Sequence, residues 1–598
     1  NQAWLLKEWK AGRRLRIVSV PVRDVQYGLQ FRNPAWEPAD GPEVMAGKIL
    51  PVYRLTEKIT QKVYRRMVEA MLHEGIVWSE GDESDRVCEG EGLISMEEAI
   101  RRLHTPKTLE EIPAGRQRLA FEELLIYQLA LAQMREGEVR TPAPTIQFDE
   151  AFAKQFASSL PFQLTDDQRK AVWASVQDLE KPEPMRRLLQ GDVGSGKTAV
   201  AAFLAAICQR AGRSSAILAP TDLLAKQHAA TLRRLFAQWH IPLLLLTRTD
   251  QIWSFDREER VISWKELPTI YQEGPVVIVG THALLYGQQR LPEDLGLAVV
   301  DEQHRFGVAQ REKLSKTKDR DGCLPHFLSM TATPIPRSLA LMLYGDVELS
   351  FLKQKPAGRL PIVTKVCVAE ARAEAYREVR QAVARGERAY VVCPLIDPSE
   401  ALQVASAEEE GKRLQAGPLA GIRIGLVHGK QKAEEKEQAM KRFAAGELDV
   451  LVATSVIEVG VDVPQATIIL IEAAERFGLA QLHQLRGRVG RSALQSRCFL
   501  LTDSLEEEAT ERLRLLEKTQ DGFELADEDL KRRGAGTLLG TEQSGEGSGF
   551  KAATYEDLKV LPRVRELVKA ILQEDRGLAR FPRWKARVEE LQDTTHLE

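Results

Sequence analysis

The chain has 598 residues, 43% of them hydrophobic, which is enough for about four domains of ordinary size with their own cores. Its 83 lysine and arginine residues nearly balance 86 aspartate and glutamate residues, which excludes a uniformly basic protein and restricts any nucleic-acid site to a local patch. No apolar run approaches the roughly 20 residues of a membrane helix and the first residues are charged, so we expect a cytoplasmic protein without a signal peptide.

The first part of the chain divides into a β segment and a helical segment. Residues 11–36 alternate apolar and polar side chains between turn signals, which predicts short antiparallel strands. Farther on, apolar residues recur at three-to-four spacing, as in TEKITQKVYRRMVEAMLHEGI, which predicts connecting helices. We therefore expect a small β module at 1–46 and a helical linker at 47–160.

The middle of the chain alternates apolar runs with helical stretches. The runs include RRLLQG, LGLAVVDEQH and PHFLSMTATP, and then AYVVCPLID, DVLVATSV and ATIILIEAA. This alternation is typical of parallel sheets with crossover helices. It predicts two α/β domains in tandem, at 161–352 and 353–505, followed by a charged and mainly helical region at 506–598.

The cysteines and histidines do not form a recognisable metal or disulfide pattern. The six cysteines lie far apart without a CxxC pair, which argues against a zinc site or a disulfide framework. We expect most of them to be core residues. None of the ten histidines is predicted to bind a metal.

A phosphate-binding loop follows the first strand of the predicted tandem. The sequence GDVGSGKT, from Gly191 to Thr198, lies between an apolar run and the helix-forming segment AVAAFLAAICQR. In this setting backbone N–H groups hold phosphates, and Gly194 and Gly196 allow their close approach. Lys197 reaches the β and γ oxygens and the Thr198 hydroxyl binds Mg²⁺. The loop predicts a nucleoside triphosphate site.

Two carboxylates end a later apolar run. LGLAVVDEQH places Asp301 and Glu302 directly after a predicted buried strand. At such a strand end, beside a phosphate loop, Asp301 can hold the hydrated Mg²⁺ and Glu302 can orient or deprotonate the attacking water. The two features together predict triphosphate hydrolysis.

A basic, glycine-rich stretch lies near the C-terminus. Its sequence is DLKRRGAGTLLGTEQSG, and its glycines have one residue too many between them for GxGxxG. A charged, helix-forming segment precedes it, so a dinucleotide-binding loop is excluded. That segment, ERLRLLEKTQDGFELADEDLKRR, predicts a helical hairpin that turns at Asp521 and Gly522.

Blocks between residues 160 and 505 resemble the ordered motifs of superfamily 2 helicases and translocases. FQLTDDQ resembles the Q motif, and APTDLLAKQH and GTHALL resemble blocks that contact one DNA strand. MTATPIPRS resembles the motif that couples the nucleotide site to the DNA cleft. LVHGKQ, ATSVIEVGVDVP and QLRGRVGR resemble motifs IV, V and VI. The resemblance implies two RecA-like domains that use ATP with Mg²⁺.

In the first domain the resemblance assigns roles to residues on both sides of the phosphate loop. Phe162 and Gln168 stand at the positions that recognise adenine. His304 stands where a polar relay links the nucleotide to the MTATP segment, in which Thr331 and Thr333 belong to the coupling motif. A satisfied core histidine is the alternative for His304.

In the second domain the resemblance places Asp462 at the ribose and Arg488 and Arg491 at the γ-phosphate. An arginine that completes the charge around this phosphate can accelerate hydrolysis by on the order of 10³ to 10⁵. Because Lys197 belongs to the other domain, bound nucleotide is expected to draw the two domains together, and hydrolysis is expected to reopen the cleft.

Over nearly the whole chain, DEQHRFGVAQR, MTATPIPRS, QLHQLRGRVGRS and the C-terminal loop resemble the RecG family of bacterial translocases. In that family a helical hairpin and a loop after motif VI, the TRG motif, convert cleft closure into movement along duplex DNA. The resemblance places Arg512 and Arg533 at the hairpin arginine positions and Gln543 in the loop. Together these residues imply coupling to DNA.

The C-terminal loop departs from the family pattern at three positions. The family usually reads like RGPGELLGTRQSG, whereas this chain has Ala535, Thr537 and Glu542 in place of the proline, the glutamate and the arginine. A glutamate that faces phosphates would repel them. We therefore expect no direct DNA contact from Glu542 and an unchanged coupling role for the hairpin.

The β module resembles the family's wedge, an OB-like barrel that splits the fork and stacks on bases at the junction. Such folds use a basic groove with aromatic platforms, and core packing is the alternative for each aromatic. Family wedges carry more sequence upstream, so we expect a truncated wedge with weaker fork binding. The candidate basic and aromatic residues are Lys7, Lys10, Arg13, Arg14 and Arg16, and Tyr27, Phe31 and Trp36.

The resemblance implies an ATP-dependent double-stranded DNA translocase that remodels forks and Holliday junctions in recombination and repair. It also implies a monomer that acts at the bacterial nucleoid, with single-stranded DNA-binding protein as a further partner and no membrane. The alternatives are a transcription-repair coupling factor like Mfd, a junction-binding scaffold without turnover, and an RNA remodeller. DEQH in place of DEEH argues against the first, and intact Lys197, Glu302, Arg488 and Arg491 argue against the second.

Overall fold

A computed structural model of the chain shows two compact units, one of residues 1–137 with 534–597 and one of residues 138–533. Among the helices that it describes, none is both long and apolar enough to cross a membrane. The described residues are 12, 14–18, 21–24, 28–31, 35–39, 49–53, 55, 59–74, 82–136, 141–256, 258–285, 291–303, 306, 313–314, 317–333, 347–356, 360–368, 371–394, 409–429, 431–454, 463–492, 494–504, 506–533 and 550–594.

The strands and helices are numbered separately in chain order. The strands are β1 (Leu15–Val18), β2 (Pro21–Asp24), β3 (Gly28–Phe31), β4 (Ala35–Pro38), β5 (Arg186–Gly191), β6 (Ser214–Leu218), β7 (Leu243–Leu246), β8 (Gln251–Phe255), β9 (Glu258–Val261), β10 (Val277–Gly280), β11 (Leu295–Val300), β12 (His326–Thr331), β13 (Glu348–Leu352), β14 (Val363–Cys367), β15 (Arg388–Val392), β16 (Ile424–Val427), β17 (Val450–Ala453), β18 (Ala466–Ile471) and β19 (Arg497–Leu501). The helices are α1 (Gln61–Glu74), α2 (Ser84–Gly90), α3 (Met96–His104), α4 (Glu111–Glu136), α5 (Glu150–Ser159), α6 (Asp166–Leu179), α7 (Lys197–Arg210), α8 (Asp222–Phe236), α9 (Leu267–Glu273), α10 (Arg372–Ala384), α11 (Ala433–Ala445), α12 (Leu479–Arg486), α13 (Glu507–Lys518), α14 (Gly522–Arg533), α15 (Leu561–Glu574) and α16 (Pro582–Thr594).

The first unit begins with two antiparallel strand pairs, β1 with β4 and β2 with β3. The alternating pattern of residues 11–36 predicted such strands, and this prediction is confirmed. Some of the candidate DNA-binding residues lie outside the described residues or side chains, namely Lys7, Lys10, Arg13, Tyr27 and Phe31.

The first unit also joins helices from opposite ends of the chain around one core. Leu125 and Leu129 of α4 pack with Val564 of α15 and Trp584 of α16 in one buried cluster. Charged side chains reinforce the same core: the fully buried guanidinium of Arg118 pairs with Asp85 and Glu122. A buried arginine is tolerated only because it has such partners. The linker helices and the C-terminal helices therefore form one packed body.

The second unit contains the two predicted parallel sheets. The nine-stranded sheet has the order β13-β5-β12-β11-β6-β10-β7-β8-β9, parallel from β13 to β7, and the six-stranded sheet has the order β14-β19-β18-β15-β17-β16, parallel throughout. We call the parts built on these sheets the first and second lobes. The central strands are buried along their whole length, as in β11 and β18, because helices cover both faces.

One feature of the first sheet was not part of the prediction of parallel sheets. Strands β7, β8 and β9 form an antiparallel extension at one edge. The chain turns between β8 and β9 at Asp256, which has a φ of 51°. The edge strand β9 has the sequence EERV and is exposed at every position, and charged side chains of this kind protect a sheet edge from further pairing.

The predicted helical hairpin is present at the end of the second unit. Helices α13 and α14 are joined by residues 519–521 and pack on α12 of the second lobe. Leu513, Leu516 and Leu525 of the hairpin belong to the same buried cluster as Leu482 and Leu485 of α12. The hairpin is therefore a part of the second lobe's core.

Candidate nucleotide site and interlobe contacts

The phosphate loop joins the end of β5 to the start of α7. Gly194 and Gly196 have φ values of +78° and +87°, which favour glycine. A Cβ on Gly196 would lie 2.1 Å from Nε2 of Gln168, so a larger residue would displace the Gln168 side chain. Gly191 ends β5 beside them. The loop thus leads into the N-terminus of α7, and the backbone N–H groups at a helix N-terminus can bind phosphate.

Lys197 is enclosed at the first position of α7. Its Nζ donates to the backbone oxygens of Gly191, at 2.7 Å, and Asp192, at 3.2 Å. Burial lowers the pKa of Lys197, while the nearby carboxylates of Glu302, Asp301 and Asp192 act in the opposite direction. The ammonium group thus lies on carbonyl oxygens that a phosphate can replace.

The two carboxylates follow β11 beside this lysine. Asp301 accepts a hydrogen bond from Nε2 of His228 at 2.8 Å. Burial raises the pKa of Asp301, but the His228 hydrogen bond and the charges of His228 and Lys197 outweigh burial, and the net pKa is lowered. Asp301 is therefore ionised at neutral pH, as a metal-binding carboxylate must be.

Glu302 has an unusual backbone conformation, with a φ of 50°. Its carboxylate accepts a hydrogen bond from the backbone N–H of Ala332 at 3.2 Å. A non-glycine residue at positive φ carries strain that is often found at functional sites. The arrangement links the candidate water-orienting group to the segment after β12.

Thr331 at the end of β12 and Thr333 just after it lie close to the strand that leads into the phosphate loop. The hydroxyl groups of Thr331 and Thr333 are 2.5 Å apart, and the side chain of Gln190 donates to the backbone oxygen of Thr333 at 3.1 Å. Because Gln190 belongs to β5, the segment that resembles the coupling motif is bonded to the strand that leads into the loop. His304 lies outside the described residues.

Gln168 lies against the phosphate loop. Its Nε2 donates to the backbone oxygen of Ser195 at 2.7 Å, and its Oε1 accepts from the backbone N–H of Thr165 at 2.9 Å. Phe162 is 41% exposed and lines an open groove of about 730 Å³ together with Arg169 and Trp173. Of the two candidate adenine residues, the structure bonds Gln168 to the phosphate loop and places Phe162 in this groove.

The donor set suits a magnesium ion. Thr198 is the second residue of α7 and is half-buried, and Asp301 supplies an ionised carboxylate. Within the described ranges, no group of three or more histidine, cysteine, aspartate and glutamate side chains is arranged to hold a metal. Magnesium in nucleotide sites needs only one or two protein ligands, because phosphate oxygens and water fill the other positions.

The second lobe brings its arginine segment to the phosphate loop. A Cβ on Gly487 would lie 3.0 Å from Cβ of Val193, and the positive charge of Arg488 is among the causes that lower the pKa of Lys197. Arg491 lies three residues after Arg488, and its Nε donates to the backbone oxygen of Gly487 at 3.4 Å. The two predicted arginines thus lie on the segment that faces the nucleotide loop. Asp462 lies outside the described residues.

The hairpin contacts both lobes through its side chains. Arg512 of α13 donates to the backbone oxygens of Phe477 and Glu475 in the second lobe. Phe523 of α14 makes an edge contact with Phe351 of the first lobe at 5.5 Å between ring centroids. Arg533 ends α14, its side chain lies outside the described part of the chain, and so does Gln543.

Sequence reasoning missed three side chains at this site. His228, Asp192 and His483 each lie next to a motif residue and were not singled out, although His228 is in APTDLLAKQH and His483 is in QLHQLRGRVGR. Nε2 of His483 lies 2.9 Å from Oδ1 of Asp192, a contact between the two lobes. The available signal was that each is a polar residue inside a motif. This signal does not identify the partner of the residue, which comes from a distant part of the chain.

Four family models match: the RecG wedge domain, the DEAD/DEAH box helicase domain, the helicase conserved C-terminal domain, and the C-terminal part of domain 3 of ATP-dependent DNA helicase RecG. The wedge match extends beyond residue 46, where we predicted the end of the β module. The matched residues are 1–74, 165–342, 372–493 and 519–594, respectively.

Curated relatives and a solved structure are similar over most of the chain. The ATP-dependent DNA helicase RecG of Synechocystis is 41% identical over 95% of this chain and 67% of its own length. The proteins of the same name from Thermotoga maritima and Acidithiobacillus ferridurans are each 40% identical, with 91% and 96% of this chain and 68% and 81% of their own lengths covered. A RecG structure bound to a three-way DNA junction matches with a TM-score of 0.72 and 35% identity, covering 94% of this chain and 73% of that one.

Proposed function

Because the chain belongs to the RecG family of ATP-dependent DNA helicases, we propose that it moves along double-stranded DNA and remodels branched DNA in recombination and repair. Its substrates would be stalled forks and Holliday junctions. The matches to the RecG wedge and to RecG domain 3 support this function over a transcription-repair coupling role.

The observation that carries this proposal is the position of the hairpin turn. Gly522 begins α14, and a Cβ on it would lie 2.5 Å from Oδ1 of Asp192 in the phosphate loop and 2.5 Å from Nε2 of His483 in the second lobe. A segment wedged at this contact must respond when the lobes move relative to each other, because packed interfaces do not deform continuously. The hairpin is thus suited to convert changes in the nucleotide cleft into movement.

For hydrolysis we propose that residues of both lobes surround the triphosphate. Lys197 would bind the β and γ oxygens, Glu302 would orient and deprotonate the attacking water, and Arg488 and Arg491 would neutralise charge on the γ-phosphate. The orientation of Glu302 is supported by its hydrogen bond from Ala332. Catalysis of this kind depends mainly on positioning and on electrostatic stabilisation.

We propose that Mg²⁺ and the nucleoside are held by the remaining candidate residues. Thr198 and Asp301 would hold Mg²⁺, which would supply positive charge against the charge that develops on the phosphates. Phe162 and Gln168 would recognise adenine and Asp462 would bind the ribose. The lowered pKa of Asp301, caused by the His228 hydrogen bond and by Lys197 against the effect of burial, supports the metal-binding role.

The proposed cycle alternates between a closed and an open cleft. Closure over ATP brings the arginine segment of the second lobe to the phosphates, and hydrolysis releases it. The hairpin, with Arg512, Arg533 and the Gln543 loop, would transmit the movement to duplex DNA, while Thr331, Thr333 and His304 would link the nucleotide to the DNA cleft. We further propose a monomer that acts in the cytoplasm at the nucleoid and cooperates with single-stranded DNA-binding protein.

The proposal predicts that branched DNA activates ATP hydrolysis. We expect three-way forks and four-way junctions to stimulate the ATPase rate more than linear duplex DNA, because the wedge would bind the branch point. We expect linear duplex DNA to stimulate it more than single-stranded DNA or duplex RNA, because the hairpin would act on the backbone of duplex DNA. The measurement is the steady-state ATPase rate with each nucleic acid at equal phosphate concentration.

Equal activation by all nucleic acids, or a rate unaffected by any of them, would contradict the proposed function. DNA binding should also weaken with salt, with log affinity falling by about 0.9 per neutralised phosphate for each unit of log salt concentration. A sequence-matched linear duplex of the same length serves as the control for the branch. Little dependence on base sequence is expected, since phosphate contacts carry no sequence information.

A further inference from the structure

A continuous chain of hydrogen bonds connects the phosphate loop to the hairpin. Oδ1 of Asp192 lies 2.9 Å from Nε2 of His483, and Nδ1 of His483 lies 2.8 Å from a guanidinium nitrogen of Arg486. Arg486 in turn donates to the backbone oxygens of Leu516, at 2.7 Å, and Thr519, at 2.9 Å. We call the side chains of Asp192, His483 and Arg486, with these two carbonyls, the loop-to-hairpin chain.

The partners of His483 fix the position of its proton. A guanidinium group has only donors, so Nδ1 must accept from Arg486 and cannot carry a hydrogen. Nε2 therefore carries the hydrogen and donates to the Asp192 carboxylate. A neutral imidazole supplies one donor and one acceptor. Here the donor bonds to Asp192 and the acceptor bonds to Arg486.

The loop-to-hairpin chain also places a negative charge, on Asp192, near the buried positive charge of Arg486. Arg486 is 1% exposed, and burial lowers its pKa, with the Asp192 carboxylate acting in the opposite direction. Burial raises the pKa of Asp192, but the His483 hydrogen bond and the positive charges of Lys355 and Lys197 outweigh burial and lower it. Because a buried cation is costly without a compensating charge, the position of Asp192 affects how firmly Arg486 is held.

Asp192 is the member of the loop-to-hairpin chain that bound nucleotide would affect first. Its backbone oxygen accepts from Nζ of Lys197 at 3.2 Å, while its side chain holds His483. A triphosphate that draws Lys197 to its β and γ oxygens takes a donor away from the backbone of Asp192. The side chain of the same residue would then shift against His483.

The hairpin turn rests directly on the Asp192–His483 pair. A Cβ on Gly522 would lie 2.5 Å from one polar atom of each residue, so the turn has no room for even a methyl group. Residues Leu516 and Thr519, which accept from Arg486, come just before the turn. Both ends of the turn are thus in contact with the loop-to-hairpin chain.

We propose that His483 is a positioning residue that passes the nucleotide state of the phosphate loop to the hairpin, through Asp192 on one side and Arg486 on the other. The inference rests on the proposed function and deepens it, since it names the side chains through which the hairpin responds. His483 does not contact the reacting phosphate; it links the residue that holds Lys197 to the residue that holds the hairpin.

The first test measures hydrogen exchange in the full chain without DNA. A non-hydrolysable ATP analogue should change the exchange rate of the α14 amides by about ten-fold in the wild-type protein, the size expected from one charge-assisted hydrogen bond. His483→Leu should abolish this change, and His483→Gln should restore part of it, since an amide supplies one donor and one acceptor. An analogue effect that persists in His483→Leu would overturn the proposal.

A second variant tests the same link without changing His483, in case His483→Leu does not fold. In Gly522→Ala the added methyl group should push Asp192 and His483 apart, so this variant should also abolish the analogue effect. Its matched control is Gly411→Ala, since Gly411 lies in helical residues 409–416 with nothing within 4 Å of an added Cβ. An analogue effect that persists in Gly522→Ala would overturn the proposal.

The same variants separate hydrolysis from movement. The measurement is a coupling ratio, the length of third strand that the protein displaces from a DNA triplex for each ATP hydrolysed. For His483→Leu we expect this ratio to fall by about ten-fold. For His483→Gln we expect an intermediate ratio, and for Gly411→Ala an unchanged one. An unchanged ratio in His483→Leu would overturn the inference alone. Hydrolysis without any displacement by the wild-type protein would instead overturn the proposed function, and the exchange test would still decide the inference.

Discussion

Arg488→Ala is expected to lower kcat for DNA-stimulated ATP hydrolysis by about 10³-fold, with a much smaller change in KM for ATP. The arginine would act on charge that develops at the γ-phosphate, so its loss removes stabilisation of the transition state more than of bound substrate. Its segment already abuts the phosphate loop at Val193, and its charge already influences Lys197. Single-turnover hydrolysis at saturating ATP measures the effect.

The matched control for this variant is Arg442→Ala. Arg442 belongs to the same lobe, is half exposed and pairs only with its neighbour Glu447 among the described ion pairs. Exposed pairs of this kind contribute little, so kcat should stay within about two-fold. A kcat for Arg488→Ala equal to that of the control would show that the second lobe does not complete the site.

Lys197→Ala is expected to reduce ATP hydrolysis by at least about 10²-fold, the loss that follows removal of one fixed donor to a charge that develops during reaction. Binding of ATP should weaken as well, because the lysine contacts the phosphates in the bound state and in the transition state. The measurements are the ATPase rate with forked DNA and the affinity for a fluorescent ATP analogue.

Lys154→Ala provides the control, since Lys154 is exposed and pairs with Glu150 on α5. Thermal unfolding should show that the Lys197→Ala protein is folded. We expect little loss of stability, because the variant removes a buried ammonium group whose burial is itself costly. An ATPase rate that equals the wild-type rate would exclude the phosphate loop as the site of hydrolysis.

The sequence predicted the tandem parallel sheets and the candidate nucleotide residues because these features are local. A strand, a glycine-rich loop and a helix follow one another within GDVGSGKT and its flanks, so the phosphate loop is readable without tertiary contacts. The paired carboxylates of Asp301 and Glu302 likewise end a run of buried residues. The hairpin turn was predicted from Asp521 and Gly522, where α14 begins.

Contacts between distant segments were not predictable in the same way. The hydrogen bond from His228 to Asp301, the contact of His483 with Asp192, and the shared core of α4 with α15 and α16 all join residues far apart in the chain. Neither periodicity nor motif spacing carries information about such pairs. The antiparallel edge formed by β8 and β9 was missed for a related reason, since a short hairpin within an α/β pattern leaves only a weak period-two signal.

Several predictions remain open to experiment. The domain boundaries at residues 46, 160, 352 and 505 remain predictions, and the variants above test the proposed roles of Lys197 and Arg488. His304, Asp462 and Gln543 lie outside the described residues, so their predicted roles rest on the family resemblance alone. For Gln168 the structure adds a specific contact, because its side chain is already bonded to the phosphate loop.

The central claim is that ATP hydrolysis between the two lobes drives duplex DNA past the protein through the hairpin. It is tested most directly by the length of third strand displaced from a triplex per ATP hydrolysed, compared between wild-type, Arg512→Ala and the exposed control Arg514→Ala on the same helix. Arg512 fastens the hairpin to the second lobe through two backbone oxygens, so its loss should lower the ratio by about ten-fold while Arg514→Ala keeps it. Equal ratios for all three proteins would contradict the account.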